Sequence, residues 1–351
     1  MQSARRVIIG GSWRRPVDEE AFARGFRELG WEVSQFVQPA GLSVPGQLYR
    51  MRLSPLLRDV NARLLGLVAR QQPHLVFLQR CDRILPQTIR DIRLASPRTR
   101  VFQFHNDDPY AGLRDRVKNR HFLQSLRYAD ATLVFRPVNV AEARRWGAPC
   151  VEVFPPYYVR ALHFPEPGTV ADADVVFVGH FEDDGRAQII EAMVAAGLRV
   201  ALFGTDWDKA PRSCRWIHAR RVPPAFGDDY RRALARGRMA LVFLSRINRD
   251  VWTTRTFEIP ACGVAMLTPD NPALRGYFTG DEAIYYRERD LRDAVATAVK
   301  WAADPAACAR VAAAGHERCL RDGHSELDRT RQLVELWRRL GGESAAAAPA
   351  P

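Results

Sequence analysis

Short apolar runs alternate with amphipathic segments along the chain, and no other feature constrains its fold as strongly. In the first half, the apolar runs cover residues 5–9, 31–37, 74–79, 101–105 and 131–135. Helical patterns fall between them, at about residues 18–29, 54–70, 86–94 and 113–128. Strands that alternate with helices predict βαβ units, in which the strands form a parallel sheet.

The alternation restarts after a proline-rich break at residues 154–168. Strand patterns follow at residues 174–178, 199–203, 239–244 and 264–267, and helical patterns at about 186–196, 254–261, 291–302, 306–319 and 325–340. A chain of 351 residues is long enough for two domains. We therefore predict an α/β protein with a doubly wound domain at 1–155, a linker at 156–172, a second such domain at 173–324, a final helix at 325–340 and a disordered tail at 341–351.

Composition excludes several classes of protein. No run of eighteen apolar residues occurs, and the first residues lack the apolar stretch of a secretory signal. The six cysteines are scattered without Cys-x-x-Cys spacing, so neither a zinc cluster nor a disulfide framework is indicated. We therefore expect a cytoplasmic protein with reduced thiols. Five of these thiols are interpreted as inert and buried, whereas Cys262 is expected to contact a ligand because of its neighbours.

The net charge of +12 lies entirely in the first half. Residues 1–160 carry 26 Arg and Lys against 14 Asp and Glu, and the remaining residues carry 26 against 26. Such a half could meet an anionic membrane surface, an anionic acceptor or nucleic acid, or it could be a solvated face without a partner. Nucleic acid is disfavoured because the arginines are not interleaved with aromatic residues.

The helix at residues 54–70 has two interpretations. It is rich in arginine, and its apolar residues are Leu56, Leu57, Val60, Leu64 and Leu67. It could lie on the inner face of a membrane as a peripheral contact. The favoured alternative is that its apolar side packs on the sheet.

Residues 250–263 form the most informative local motif. Asp250 and Glu258 lie eight residues apart, Arg255 lies between them, and Cys262-Gly263 ends the segment before a strand. This pattern indicates a site for a polar, phosphate-bearing ligand, with a capped surface helix as the alternative. Neither half contains G-x-G-x-x-G or a P-loop lysine, which argues against a dehydrogenase or a P-loop NTPase.

Several motifs together resemble a known family. The first group is Arg255-Thr-Phe-Glu258-Ile-Pro-Ala-Cys-Gly263, Leu267-Thr268, residues 278–282, Tyr285 and residues 315–318 before His324. The second group is Phe177-Val-Gly179 with Arg186, and Leu202-Phe-Gly204 with Trp207. These motifs resemble the CgeB-like glycosyltransferases of the "glycosyl transferases group 1" superfamily, over about residues 175–333. The resemblance implies the GT-B fold: two Rossmann-like domains facing each other across a cleft, with a last helix that returns to the first domain.

The resemblance also implies roles for individual residues in binding the donor. Glu258 would bind the ribose hydroxyls of a nucleotide sugar, and Asp250, shorter than the usual Glu, would approach the transferred sugar. Arg186 resembles the arginine of the diphosphate-binding Arg–Lys pair, but no lysine follows it, so Arg255 or Arg246 would substitute. Gly179 and Gly204 would lie at the donor site with Cys262 and Gly263. GT-B enzymes use no bound metal, and Asp206-Trp-Asp208, which has the spacing of a metal motif, is interpreted as a loop.

In the first half, His105 ends a strand and leads into Asn106-Asp107-Asp108-Pro109. The resemblance implies that a histidine at this strand end contacts the donor sugar, and Asp107 or Asp108 could accept a proton from an acceptor hydroxyl. The alternative is an Asx-type turn in which the aspartates cap the next helix. Gly10 and Gly11 would let the backbone approach a ligand, or they would form a plain strand-to-helix turn.

We therefore predict a metal-independent glycosyltransferase that moves a hexosyl or related sugar from a nucleotide-diphosphate sugar to an acceptor hydroxyl, in glycan or polysaccharide biosynthesis. No cofactor is expected besides this co-substrate. The acceptor would be a glycan, a lipid-linked molecule or another hydroxyl compound, and the basic first half favours an anionic one. The alternatives are a GT-B sugar-nucleotide epimerase and an inactive GT-B module that binds sugar or nucleotide.

Overall fold

The computed structural model describes residues 4–38 and 55–343. It divides the chain into two compact units, one made of Met1–Pro155 with Glu326–Pro351 and the other of Pro156–Ser325. Each unit is built around its own parallel sheet, and helices connect the strands. The α/β class predicted from the alternation of strands and helices is confirmed.

The first unit contains a six-stranded sheet. Its strands are β1 (Arg5–Gly11), β2 (Trp31–Val37), β3 (Leu75–Gln79), β4 (Arg100–His105), β5 (Ala131–Val134) and β6 (Val151–Val153), in the order β2-β1-β3-β4-β5-β6. Its helices are α1 (Glu19–Glu28), α2 (Pro55–Gln71), α3 (Pro86–Ala95), α4 (Leu113–Lys118), α5 (Arg120–Ser125) and α6 (Asn139–Arg145). Every residue of β3 is buried, as expected of a central strand in a parallel sheet covered on both faces.

The second unit contains a five-stranded sheet. Its strands are β7 (Ala173–Val178), β8 (Val200–Phe203), β9 (Gly237–Leu241), β10 (Ala265–Pro269) and β11 (Ile284–Tyr286), in the order β11-β10-β9-β7-β8. Its helices are α7 (Arg186–Ala195), α8 (Arg215–His218), α9 (Asp228–Ala235), α10 (Arg255–Ala261), α11 (Pro272–Arg275), α12 (Leu291–Ala302) and α13 (Pro305–Arg321).

The last helix, α14 (Glu326–Arg339), returns to the first unit, as predicted. Its Trp337 is fully buried, packs edge-on against Trp31 with ring centroids 5.1 Å apart, and donates a hydrogen bond from Nε1 to the His74 carbonyl at 3.1 Å. On α1, a Cβ at Gly25 would lie 2.2 Å from Thr330 Oγ1, so the glycine lets the two helices approach closely.

The structure decides between the two interpretations of the helix at residues 54–70. Leu57, Val60, Leu64 and Val68 of α2 are buried, and the last three belong to a core cluster with residues of β1, β2 and β3. The apolar side therefore packs on the sheet, and only Leu56 is largely exposed. Ser54, the first residue of the predicted helix, lies outside the described residues.

One predicted helix is wrong in its extent. Residues 113–128 form α4, α5 and a 3₁₀ turn at Leu126–Tyr128 instead of one continuous helix. The interruption is at Asn119, whose buried side chain donates to the Asp115 carbonyl at 2.9 Å. Such a side-chain bond competes with the backbone pattern of a helix.

The proline-rich segment at 156–172 is packed within the second unit. Tyr158, Val159 and His163 are buried, and the Tyr158 amide donates to the His324 carbonyl at 3.1 Å. Of the predicted disordered tail at 341–351, residues 344–351 lie outside the described part of the chain. Across the described ranges, we find no helix with the length and apolarity needed to cross a lipid bilayer.

Candidate functional site

The carboxyl edge of the second sheet has a topological switch point between β7 and β9. From β7 the chain first forms β8 on one side and later β9 on the other, so the loops after β7 and β9 separate there. Ligands of open α/β sheets bind at such points. Ser245 Oγ donates to Glu182 Oε2 at 2.9 Å and thereby links the two loops.

Arg255 begins α10 beside this switch point. Its Nε donates to the Val178 carbonyl at the end of β7, at 2.7 Å, and its Nη1 lies 3.4 Å from Thr253 Oγ1. A Cβ at Gly179 would lie 2.7 Å from Arg255 Nη2, so the glycine leaves room for the guanidinium. Among the described residues, the hydrogen-bond acceptors of Arg255 are these two uncharged oxygens. No carboxylate therefore neutralises its charge within these described hydrogen bonds.

Glu258 lies one turn further along α10 and is held by Tyr230 of α9. The Tyr230 hydroxyl donates a hydrogen bond to Glu258 Oε2 at 2.8 Å. Among the described residues, Tyr230 is the hydrogen-bond donor to this carboxylate. Burial, and then the charge of Glu258, raise the pKa of Tyr230 well above its ordinary value. The phenol therefore stays protonated and fixes one carboxylate oxygen, while Oε1 is left for a ligand.

The structure gives Arg186 a different role from the predicted one. Its side chain is 4% exposed, and its guanidinium donates to both carboxylate oxygens of Asp184, at 2.8 and 2.7 Å. It also donates to the His180 carbonyl at 2.7 Å and lies 3.3 Å from Glu182. Two carboxylates thus neutralise this arginine, and it does not fit the role of a diphosphate ligand.

Gly179 and Gly204 allow two strand ends to touch. Gly204 has φ +135°, and a Cβ there would lie 1.9 Å from the Gly179 carbonyl oxygen. Trp207 Nε1 donates to the same oxygen at 2.9 Å. Close packing of the backbone therefore accounts for Gly204, whereas Gly179 also makes room for Arg255.

Cys262 and Gly263 at the end of α10 are explained by packing. Burial raises the pKa of the Cys262 thiol to about 12, so the sulfur is an inert thiol. Gly263 has φ +70°, and a Cβ there would lie 3.2 Å from Pro165 Cγ. The expected ligand contact of these two residues has no support in their surroundings.

Asp250 and Arg246 lie in the loop between β9 and α10. The half-buried Asp250 donates its backbone amide to the Ser245 carbonyl at 2.9 Å, which closes a tight turn. Arg246 is exposed within this turn. Both residues therefore belong to the loop that borders the switch point, and Arg255 follows this loop as the first residue of α10.

At the edge of the first sheet, Gly10 and Gly11 make room for other parts of the same chain. A Cβ at Gly11 would lie 1.8 Å from Glu19 Oε1, and one at Gly10 would lie 2.7 Å from Leu78 Cδ2. The buried Glu19 carboxylate accepts hydrogen bonds from the amides of Ser12 at 2.7 Å and Trp13 at 3.1 Å. The Glu19 carboxylate thus fills the space that a ligand would need, and the two glycines fit the alternative of a plain strand-to-helix turn.

His105 lies buried at the end of β4. Its Nδ1 is 3.3 Å from the Asp107 carbonyl, and its ring packs against Phe122 with centroids 5.1 Å apart. Burial lowers the pKa of His105 to about 4, so the imidazole is neutral at pH 7. A neutral ring that donates from Nδ1 keeps Nε2 as an acceptor.

Asp107 and Asp108 differ in their surroundings. Asp107 is partly exposed and pairs with Arg80 at 2.8 Å. Burial would raise the pKa of Asp107, but Arg80 and the neighbouring charges more than offset this and hold it below its ordinary value. Asp108 is buried and accepts from the Tyr110 amide and from Asn139 Nδ2, both at 3.1 Å. Asp108 therefore forms the Asx-type turn of the alternative interpretation and is not a substrate ligand.

Residues 4–38 and 55–343 contain no group of three or more His, Cys, Asp or Glu side chains that could hold a metal ion. Asp206, the first residue of the Asp-x-Asp pair, forms an ion pair with Lys209 and accepts from Thr205 Oγ1 at 3.1 Å. Trp207–Lys209 is a short 3₁₀ helix. This segment is therefore a folded loop, as the sequence indicated.

Three residues of the two carboxyl edges were missed from sequence: Arg80, Glu182 and Tyr230. Arg80 directly follows β3. His105 was selected as a polar residue at the carboxyl end of β4, and the same criterion applied to β3 would have selected Arg80. Glu182 lies in the loop after β7 and is found by the same rule. Tyr230 lies on α9, whose eight residues were too few to be recognised as a helix.

Comparisons with known proteins agree with this architecture. Residues 186–335 match a family model described as glycosyl transferase-like. No curated protein sequence is detectably similar to the chain. Sucrose-phosphate synthase from Thermosynechococcus elongatus superposes with a TM-score of 0.67 at 14% identity, covering 97% of this chain and 100% of that one. The fold is GT-B.

Two further structures have the same fold. HepE from Anabaena, in complex with UDP and glucose, has a TM-score of 0.64 at 11% identity and covers 95% of this chain and 100% of its own. Trehalose 6-phosphate synthase from Burkholderia multivorans has a TM-score of 0.63 at 13% identity and covers 97% and 100%. At these identities the similarity concerns the fold.

Proposed function

We propose that this protein is a glycosyltransferase that transfers a sugar from a nucleotide-diphosphate sugar to an acceptor hydroxyl without a bound metal. One observation carries the proposal: a single turn of α10, at the switch point of the second sheet, holds both Arg255 and Glu258. The described hydrogen-bond acceptors of Arg255 are uncharged, and Tyr230 holds one carboxylate oxygen of Glu258. A cation and a carboxylate so placed suit the diphosphate and the ribose of a nucleotide.

We assign the donor contacts from this geometry together with the family resemblance. Glu258 Oε1 accepts hydrogen bonds from the ribose hydroxyls, while Arg255 binds the diphosphate and Arg246 in the adjacent loop supplies a second cation. Asp250 approaches the transferred sugar. The UDP and glucose in HepE, a protein of the same fold, support a nucleotide-sugar donor.

In the transfer step, the acceptor oxygen forms a bond to the anomeric carbon. The bond from that carbon to the diphosphate oxygen breaks, and the diphosphate leaves with the electron pair. Arg255 and Arg246 stabilise the charge that develops on the leaving group, because cations fixed in place need little reorganisation during the reaction. The acceptor proton passes to a base.

In the first unit, His105 and Asp107 are the proposed polar contacts. His105 offers Nε2 to a sugar hydroxyl, since its ring is neutral and its Nδ1 faces the Asp107 carbonyl. Asp107 accepts the proton, and its pairing with Arg80 makes it a weak base that is ionised at neutral pH.

The narrower assignment follows the sequence motifs. We propose a CgeB-like enzyme of glycan or polysaccharide biosynthesis that acts in the cytoplasm on a hexosyl or related sugar. The acceptor is anionic, because the whole excess of positive charge lies in residues 1–160.

The decisive experiment measures release of nucleoside diphosphate from a panel of nucleotide sugars, with and without candidate acceptors. We expect acceptor-dependent release with one donor. Conversion of the sugar without an acceptor would indicate an epimerase, and binding without turnover an inactive module. Either result would contradict the proposal.

Arginine variants test the diphosphate contacts. We expect Arg255→Ala and Arg246→Ala to lower turnover more than the affinity for the bare nucleoside, because the nucleoside lacks the phosphates. Arg292→Ala, an exposed arginine on α12, is the matched control. Equal and small effects on both measurements would show that neither arginine touches the phosphates.

A further inference from the structure

Helix α4 differs from the other helices of the first unit because none of its six residues is buried. Leu113 is 78% exposed and Val117 is 55% exposed. These residues are four positions apart, so they lie on the same face of the helix, one turn from each other. An apolar pair displayed in this way on an otherwise charged helix is available for contact with a partner.

The charge of α4 indicates what kind of partner fits. Arg114, Arg116 and Lys118 are exposed and surround the apolar pair, and Asp115 is the one acidic residue of the helix. The sequence continues this basic character at Arg120. Basic side chains around exposed apolar residues suit a surface that is anionic outside and apolar beneath, which describes an anionic lipid headgroup layer.

We propose that α4 docks on an anionic lipid surface, with Leu113 and Val117 inserted at the boundary between headgroups and acyl chains and with the basic side chains on the lipid phosphates. Helix α2, the earlier candidate for such contact, is disfavoured because most of its apolar residues pack in the core and Leu56 is its one largely exposed leucine. Helix α4 is also close in sequence to a proposed site residue, because residues 106–112 alone separate it from His105 at the end of β4. A lipid surface bound by α4 would therefore lie near the proposed acceptor contacts. Resting on the proposed function, the inference names the acceptor as one carried by a membrane lipid.

The test is cosedimentation with vesicles of phosphatidylglycerol and phosphatidylcholine, and with vesicles of phosphatidylcholine alone, across a salt series. We expect the protein to bind the anionic vesicles at low salt and to dissociate as salt rises, because exposed charges are screened. Leu113→Asn with Val117→Asn should reduce the bound fraction several-fold, and so should Arg114→Gln with Lys118→Gln.

Leu94→Asn is the matched control, because Leu94 is 80% exposed on α3 of the same unit. It should bind as the parent protein does. The proposal is overturned if the parent protein shows no preference for anionic vesicles, or if the Leu113/Val117 variant binds as well as its parent. A change in oligomeric state of that variant on gel filtration would point instead to a second copy of the chain and would also overturn it.

Failure of this inference is distinguishable from failure of the proposed function. Release of nucleoside diphosphate to a water-soluble acceptor analogue should be the same in the Leu113/Val117 variant and its parent, since these residues lie outside the donor site. Release that is absent from both proteins would contradict the proposed function, whatever the vesicles show.

Discussion

The pairing of charged side chains separates the arginines that stabilise the fold from those that can bind a ligand. Arg186 is buried and shared between Asp184 and Glu182, and its guanidinium also lies against the rings of Phe177 and Phe243. Arg255, which lies near Phe177 as well, has no such acidic partners among its described hydrogen bonds. Two arginines at one strand end therefore serve different purposes.

This difference predicts opposite effects of removing the two guanidiniums. Arg186→Ala should lower the free energy of unfolding by about 3–5 kcal/mol, because it leaves the largely buried carboxylates of Asp184 and Glu182 without their cation. Arg255→Ala should change stability much less while it abolishes most turnover. Thermal unfolding of both variants checks this. A stable Arg186→Ala protein with lost activity would restore Arg186 as a ligand.

The contact between Tyr230 and Glu258 predicts a selective loss of ribose recognition. Glu258→Ala should weaken binding of a nucleoside diphosphate by about 1.5–3 kcal/mol, since a charged hydrogen-bond partner is lost. Tyr230→Phe should weaken it less and in the same way, because Tyr230 positions the carboxylate. Calorimetry with the ribonucleotide and its 2′,3′-dideoxy analogue provides the check.

For the dideoxy analogue, both variants should bind as the parent protein does. A purely structural role of Tyr230 would weaken both ligands equally and contradict the assignment. Unchanged affinity for the ribonucleotide in a folded Glu258→Ala protein would remove Glu258 from the site.

The buried His105 predicts a dependence of stability on pH. Its pKa is lowered from 6.5 to about 4 by burial, so the unfolded chain takes up the proton first as the pH falls. This group contributes no penalty above pH 6.5 and destabilises the fold progressively between pH 6.5 and 4, by about 3 kcal/mol in total. Between pH 7 and 4.5, the melting temperature of His105→Gln should therefore fall by less than that of the parent protein. Parallel curves for the two proteins would contradict the shift.

At the scale of elements, the loops that follow β7 and β8 touch each other through glycines, where a larger side chain would not fit. Gly204 combines a positive φ with a backbone oxygen 1.9 Å from the position of a Cβ, whereas Gly197 has φ +87° and nothing within 4 Å. Gly204→Ala should therefore destabilise the protein by more than Gly197→Ala, for which we expect about 1–2 kcal/mol from backbone strain alone. Equal changes in melting temperature would show that the contact between β7 and β8 can relax.

The elements also show how far the sequence carries a prediction. The strands and long helices follow from periodicity, and α12 lies at the predicted residues 291–302. Arg255 and Glu258 were named from the motif at residues 250–263 and from the family resemblance, and α10 holds both on one turn. The ligand roles expected of Arg186 and, in one of its two interpretations, of Gly11 do not fit, because Asp184 and Glu19 occupy the places intended for a ligand. Which carboxylate reaches which cation depends on packing that no local pattern encodes.

At the scale of the molecule, the first unit is completed by the last helix. Trp337 is fully buried among aromatic residues of that unit. Trp337→Ala should lower the free energy of unfolding by about 3–5 kcal/mol. Arg331→Ala, at an exposed position of the same helix, is the control and should have little effect. Calorimetric scans would contradict the role of α14 if both variants melted like the parent protein.

The return of α14 to the first unit has a consequence for how the protein is made. The ribosome synthesises the chain from its amino end. The first unit nevertheless needs Glu326–Arg339, which are synthesised after all of Pro156–Ser325. The second unit is continuous in sequence and can fold while synthesis goes on. The surface of α1 that receives α14 therefore stays uncovered until Glu326–Arg339 have been synthesised. During that interval Trp31 lacks its partner Trp337, and apolar surface exposed in this way makes a nascent chain prone to aggregation for longer than a chain whose units fold in the order of synthesis.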